Sequence, residues 1–556
     1  MRSALITAVL LALGTTAFAQ SATPLVHIDE LPLDAGTVPI TDAGRAGDAT
    51  RTTTPPPLVA IPEVVLPADA GFVASTTTSP AAPVPGAEAL KGELSQFLGS
   101  TRIVVEQTRF GVGLGVNRID GVFYALAEAR FDLHQGNLGL GLAAPLNFEI
   151  FDTHRDPAKT GSFAFIGTRN AGRFRTADYQ DPRDYARVLQ YVTYGHKEDH
   201  LFVSVGQIYA ETLGHGAIFR RYQPNLDPLT IRLAAEVDAY NDLGGVQALT
   251  SDLLGADIIG LLGFVKPLAI GGLPGLARTL SIGASYATDR HAPDALTLKA
   301  FPGSGLNGCD CRPVEDAQGK LLTGQTGVTL LGVDAELKVL KTDSVDLKPY
   351  LDYSHLLGGD GGLTLGLLGR FSFGGTPRAQ TQAVRVVVEA RALGDHYRPS
   401  YFDTFYAFDR LIFLDRMGTS HARPMTQREA VMAGLGTRAG YYLEGSYAVK
   451  KWVSTTVALE GDSASAAKNL IVHAELPRLS VIQLFGSYYK RGFTSFGTLG
   501  NLDQSSVALA GARLEVLPVL YLNARAYQTF ALETSDTHVF RTVRGVEGDV
   551  ELGFQF

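Results

Sequence analysis

The sequence predicts an all-β chain: one closed, antiparallel, up-and-down transmembrane β-barrel of about 18 strands (roughly 16–20), preceded by a segment without a fold of its own. Three observations predict it. Apolar and polar residues alternate with period two over runs of roughly 9–13 residues, the length a tilted strand needs to cross a hydrocarbon layer. Short joints between the runs alternate with long ones, as in a barrel with turns at one rim and loops at the other. A mean hydropathy of +0.08 over 556 residues, 61 of them Gly, excludes a bundle of membrane helices yet fits a wall whose two faces average out.

The chain opens with a secretory signal peptide over residues 1–19. Arg2 supplies the positive start, Ala4 to Leu13 the apolar core, and Ala17-Phe18-Ala19 the small-x-small cleavage site. No Cys follows that site, so no lipid anchor is expected. Residues 20–100 are rich in Pro, Ala and Thr and lack a hydrophobic period; they cannot bury enough surface to offset their ordering entropy and read as a disordered spacer. The barrel is expected over 101–556. With a formal charge of −8 and no dominant basic patch, nucleic acid is not an expected partner.

Within the barrel region, Phe123, Ala125, Ala127, Ala129, Phe131 and Leu133 alternate with Tyr124, Leu126, Glu128, Arg130, Asp132 and His134. A turn at Gln135-Gly136-Asn137 leads into a matching run through Ile150. Mid-chain, Leu331 to Val339 and Val345 to Tyr353 form the clearest hairpin around a Lys341-Thr342-Asp343-Ser344 turn. Pro349 within the second arm removes a ladder donor, which a bulge would accommodate. The same pattern recurs at 363–373, 384–392, 441–449, 453–459, 470–476, 479–489, 508–516 and 520–526. Long loops are expected near 152–183, 211–228, 289–326 and 393–436. Eight short turns with both ends at one rim imply 18 strands; a further turn near 240–244, in a stretch hard to parse, would make 20.

The last run, GVEGDVELGFQF, places Val546, Val550, Leu552, Phe554 and Phe556 on one face and Glu547, Asp549, Glu551 and Gln555 on the other. Ending on Phe556, with Phe554 two places before it, resembles the terminal signal by which the barrel-insertion machinery recognises Gram-negative outer-membrane β-barrels. The resemblance implies an outer-membrane location, lipid around the wall, the spacer in the periplasm and a porin-like channel inside. It also implies a homotrimer as one assembly, although no trimer face is marked. The segment Gly206-Gln207-Ile208-Tyr209, Leu213-Gly214-His215-Gly216, Arg220-Arg221-Tyr222 is loosely similar to alginate-export-type porins. His215 reads there as a turn residue between two glycines, or as a ligand or base.

If the apolar face meets lipid, the other face lines a lumen. Its candidates are Arg130, Glu336, Lys338, Lys348, Arg370, Arg385, Glu389, Arg391, Arg513, Arg525, Glu547, Asp549 and Glu551. Their mixed signs favour a conduit for small polar solutes over one for lipids. Arg370, Arg385 and Arg391, on adjacent runs, point to anionic or polar solutes, saccharides among them. Loop 393–436 carries Tyr401, Phe402, Phe405, Tyr406, Asp409 and Arg410; these aromatics either pack over the mouth or form a constriction or a stacking surface for a sugar or a partner. Cys309 and Cys311, a C-x-C, are expected in an oxidising compartment to pair with each other or to sit as a small redox-labile feature. No metal or cofactor is expected, and no nucleophile-elbow, zincin or phosphate-loop motif marks an enzyme. Ser204 and His200 are about 13 Å apart by strand rise, too far for a catalytic pair. The alternatives are a structural or surface-interaction barrel whose loops close the lumen, and a barrel-embedded hydrolase. Unheated samples should migrate faster than boiled ones on a denaturing gel; identical migration would argue against any barrel.

Overall fold

The computed structural model describes residues 108–555, with breaks at 153–170, 181, 196–199, 209, 227–230, 273–274, 301–310, 317–320, 343, 377–378, 412–424, 450–451, 480, 504 and 533–539. The signal peptide, the spacer, Cys309 with its expected pairing, and Phe556 lie outside the described residues.

Twenty strands form the wall: β1 Arg109–Ile119, β2 Val122–Gln135, β3 Leu138–Asp152, β4 Leu189–Tyr194, β5 Leu201–Gly206, β6 Ala234–Asn241, β7 Gly244–Thr250, β8 Ile258–Val265, β9 Ser281–Asp289 and β10 Val328–Glu336. They continue as β11 Val345–Leu356, β12 Gly361–Thr376, β13 Ala379–Leu393, β14 Arg438–Val449, β15 Val453–Asp462, β16 Lys468–Leu479, β17 Ile482–Phe493, β18 Ser506–Leu517, β19 Leu520–Leu532 and β20 Phe540–Gln555. Each pairs antiparallel with the next, and β20 pairs with β1 from Arg109↔Gln555 to Ile119↔Gly545, so the sheet closes.

The connections sort by rim. On the side of Arg109 and Gln555 lie the joints 136–137, 195–200, 242–243, 266–280, 337–344, 377–378, 450–452, 480–481 and 518–519. The opposite rim carries 153–188, 207–233, 290–327 and 394–437 together with shorter joints. The extra hairpin near 240–244 is present, as β6 and β7. It raises the count from the 18 expected to 20, the upper end of the expected range.

The period-two pattern becomes two faces. Along β1, Val112, Leu114 and Val116 are 41–62% exposed, whereas Arg109 and Asn117 between them and the rims are almost fully buried. Rows of exposed Leu, Val and Phe recur around the sheet, an outer surface that water would not tolerate in a monomeric soluble protein. The inner face at the seam is tight. A Cβ at Gly111 would come within 2.7 Å of Glu551 Oε1, and one at Gly113 within 3.0 Å of Asp549 Oδ1. Glycine in β1 therefore makes room for the carboxylates of β20.

Pro349 is accommodated by its neighbour. Its carbonyl accepts from Leu337 N–H at 3.1 Å, so its ring nitrogen also faces β10. There Glu336 pairs with Tyr350 and Leu340 with Leu347: four steps on one strand against three on the other, one extra residue. The expected bulge exists, but in the strand opposite the proline.

Closure can be tested by cross-linking. Cysteines replacing Val112 and Leu552, paired in the register, should couple through a short thiol reagent and hold the boiled protein in a compact form; Val112→Cys with Val546→Cys should not.

Candidate functional site

Of the thirteen charged residues expected inside, twelve lie on strands, on the face away from the exposed apolar rows, and Lys338 lies in the joint 337–344; Arg385 and Arg525 are partly buried and the other eleven buried. They do not form a uniform lining. At the seam, Arg130 pairs with Glu128, with Glu551 at 2.7 Å and with Asp549 at 3.4 Å; Arg109 reaches Glu551 at 3.1 Å. Asn523 donates to Asp549 and Glu551 of β20, at 2.8 and 3.0 Å, and Arg525 pairs with Glu547 at 3.1 Å. The acidic row Glu547, Asp549 and Glu551 is thus held in a cationic bed. Register places Arg370 directly opposite Arg385, but Arg391 six residues further along β13, about 20 Å away by strand rise. The three arginines do not share one height.

A second network surrounds loop 207–233, which does not project from the rim. It folds inward. His215 sits against Glu336, eight residues down β10 from the end facing that rim, with its Nε2 3.1 Å from Glu336 Oε2. Its ring stacks on Tyr350 at 4.0 Å between centroids and 7° between planes. Gly214 N–H donates to Gln247 of β7 at 3.0 Å, and Gln223 donates to the Tyr489 hydroxyl of β17 at 3.0 Å. Arg220 reaches Glu389 of β13 and lies 4.0 Å over the Tyr442 ring of β14; Arg221 reaches Glu444 at 3.4 Å. A segment rooted between β5 and β6 therefore touches the wall as far round as β17, and spans the lumen.

Glu389 is the centre of this network. It accepts from Arg220, from the Tyr350 hydroxyl, and from Arg391 at 2.7 and 2.9 Å, while Arg391 also pairs with Glu460. Such a carboxylate is stable only because every lone pair is met by a donor. Gly216, at φ +93°, is required by the same packing: a Cβ there would lie 2.7 Å from the Arg220 guanidinium carbon.

Loop 394–437 folds onto that segment. Residues 400–402 run alongside 217–220, with Ser400 N–H donating to Ala217 O at 2.7 Å, Phe402 N–H to Ile218 O at 3.0 Å and Arg220 N–H to Phe402 O at 3.1 Å. Phe402 stacks on Phe219 at 4.6 Å and meets Tyr406 edge-on at 4.7 Å. Tyr401, Phe402, Phe405, Tyr406 and Asp409 are all at most 2% exposed. Tyr406–Asp409 forms a single helical turn, and beside it Arg398 binds Asp403 at 2.7 Å and Asp409 at 3.1 Å. Arg410 is tied to Asp289 of β9 at 3.1 Å. Burial raises the Asp403 carboxyl above its ordinary range, with Arg398 pulling the other way. Among the described residues, the loop aromatics form an internal core and present no exposed stacking surface for a sugar.

Sequence reasoning missed the inward path of 207–223 and assigned His215 chiefly to a turn. The signal was present: one His and two Arg among aromatics in a Gly-rich stretch match inward acids on β10, β13 and β14. The sequence also missed the contact of His473 Nδ1 with Ser487 Oγ at 2.7 Å, across β16 and β17. His473 Nε2 has no hydrogen-bond partner among the described residues, so the orienting acid of a catalytic triad is absent there. No group of three or more metal-ligating side chains occurs among the described residues.

No family model and no curated protein matches the sequence. Among solved structures, the chain aligns with the ferric enterobactin receptor of Pseudomonas aeruginosa at a TM-score of 0.33 and 9% identity, covering 81% of this chain and 80% of that one. It aligns with Wzi of Escherichia coli, an outer-membrane, carbohydrate-binding β-barrel involved in group 1 capsule assembly, at 0.28 and 13%, covering 80% and 85%. The outer-membrane protein OprD of P. aeruginosa gives 0.26 and 8%, covering 81% and 94%. At scores of this size the likeness carries no functional weight.

Replacing Glu389 by Ala would leave Arg220 and Arg391 buried around an empty centre. The expected loss is about 3 kcal/mol in urea unfolding from detergent, with Glu389→Gln intermediate. A change in Glu389→Ala below about 1 kcal/mol would show that the network does not depend on this carboxylate.

Proposed function

We propose that the chain is an outer-membrane channel for the passive passage of small polar solutes, its lumen narrowed by the inward-folded segments 207–223 and 394–411. The observation that carries this reading is the division of the wall: exposed Leu, Val and Phe outside, charged and hydrogen-bonding residues inside, around a closed ring. Lipid on one side and water on the other is the environment that satisfies both faces. Twenty tilted strands at ordinary spacing enclose a backbone cylinder about 40 Å wide, far more than the side chains of the wall alone can fill. The folded loops take up part of that width.

Anionic solutes are the favoured cargo. Lys348, Arg370 and Arg385 lie on the neighbouring strands β11 to β13 and Lys338 in the adjoining joint 337–344, towards the short-turn rim, below the loop pair. Arg385 retains partial exposure despite its bond to Glu444, whereas Arg391 is enclosed by Glu389 and Glu460. A second reading has one observation in its favour: 207–223 is tied to the wall at β7, β10, β13, β14 and β17, as in a permanent plug. The barrel would then be a structural or surface-interaction protein.

Planar-bilayer recording separates the two. The channel reading expects discrete conductance from the wild type and a severalfold larger unit step when 213–222 is replaced by a short Gly-Ser linker. Silence in the wild type with current only in the linker variant supports the plug. Reversal potentials should shift towards cation selectivity in Arg385→Ala and stay unchanged in Arg391→Ala; no shift in Arg385→Ala would remove the case for anions.

A further inference from the structure

We propose that His215 is a pH-operated latch, which holds segment 207–223 across the lumen when its imidazole is protonated and releases it when neutral. The idea rests on reading that segment as the channel's constriction, but the latch can be observed without any current.

Both edges of the ring face acids, one at hydrogen-bond distance and the other within ion-pair range. Nε2 lies 3.1 Å from Glu336 Oε2, and Nδ1 lies 3.8 Å from Asp334 Oδ1 on the other edge. A neutral imidazole carries one N–H and can serve one of these acids; the imidazolium serves both. Asp334 Oδ1 has no hydrogen-bond partner among the described residues. Asp352 of β11 stands directly opposite Asp334 in the register, so three carboxylates converge on the ring.

The cations nearby are already paired, Lys348 with Glu336 itself. Lys348 lies 3.6 Å from the other oxygen of Glu336, Lys338 3.6 Å from Asp346, and Arg220, which donates to the His215 carbonyl, spends its charge on Glu389. The Tyr350 ring supports the imidazole from one side, and Gln247 meets the adjacent Gly214 as a neutral group. The remaining anchors of the segment are Arg220, Arg221 and amide or hydroxyl contacts, none of which changes charge near neutrality. His215 is the anchor that does.

Gly214 and Gly216, at φ +58° and +93°, flank the histidine, so its backbone is held in a conformation the two glycines alone make easy.

The direction follows from the surroundings. Burial by itself pulls the imidazole down, but the hydrogen bond and charge of Glu336, then Asp334 and Asp352, outweigh it and raise His215 above its ordinary value. A raised histidine stabilises its bound state fully below about pH 6.5 and loses that contribution as pH climbs through the raised value. The latch is therefore closed below the raised value of His215 and opens as pH climbs through it.

Hydrogen–deuterium exchange on the full chain in detergent tests this between about pH 6 and about pH 9, with each rate divided by its intrinsic chemical rate. Protection of 213–222 should fall about tenfold across that range in the wild type, while a wall peptide from β12 stays constant. In His215→Gln, protection should be low and independent of pH. Glu336→Gln, which keeps the histidine but removes its main partner charge, should move the transition to lower pH. A flat wild-type profile, a His215→Gln profile like that of the wild type, or an unmoved transition in Glu336→Gln would each overturn the latch. If exchange shows the transition but bilayers carry no current at any pH, the latch stands and the channel reading falls.

Discussion

Everything in this molecule depends on the pairing of its first described strand with its last. An open sheet of this size would present two unpaired backbone edges and an apolar face that no core covers. Joining β1 to β20 over eleven residues removes both edges at once and turns the sheet's polar face inward. The seam is specified by side-chain volume as well as by hydrogen bonds. Small residues on β1 face carboxylates on β20, and arginines from β1 and β2 neutralise those carboxylates from the side.

Closure creates a second problem, an interior too wide for the wall's own side chains to fill. Here the solution is covalently continuous with the wall. Two long connections from one rim turn inward and pair with each other through main-chain hydrogen bonds around an aromatic core. Charged side chains then fasten them to acids and tyrosines on the strands. The interior therefore contains a small folded body with a greasy centre and an ionic surface, an inside-out relation to the barrel that encloses it. Charges that would be ruinous in a dry core are tolerated because nearly all meet an opposite charge or a phenol.

Much of the wall was legible in the sequence because strand alternation is a local property: each run from 123 onward announces its two faces without reference to any other. The rim asymmetry was legible for the same reason. Residues 229–266 were harder, since β7 and β8 are short and rich in Leu, Ile and Gly on both faces, which blurs the period. The interior was not legible, because it is set by contacts between residues far apart. Glu389 and Glu336 fall on the polar face of their runs, but nothing local says that Arg220 and His215 come to meet them across 169 and 121 positions. Likewise, periodicity alone could not place Arg391 a different distance along the pore from Arg370 and Arg385; that needed register.

The bulge beside Pro349 has a consequence for how such a chain can change over evolutionary time. The proline lacks a donor on the side facing β10, and the extra residue between Glu336 and Leu340 is what loosens the ladder there. Losing that residue while keeping the proline would press a complete ladder against a ring with nothing to give; restoring an ordinary residue at 349 while keeping the insertion would strand a donor. The two are a linked pair, a length change in one strand and a substitution in its neighbour. A lineage would be expected to gain or lose them together, leaving a one-residue gap and a proline as a joint mark of descent.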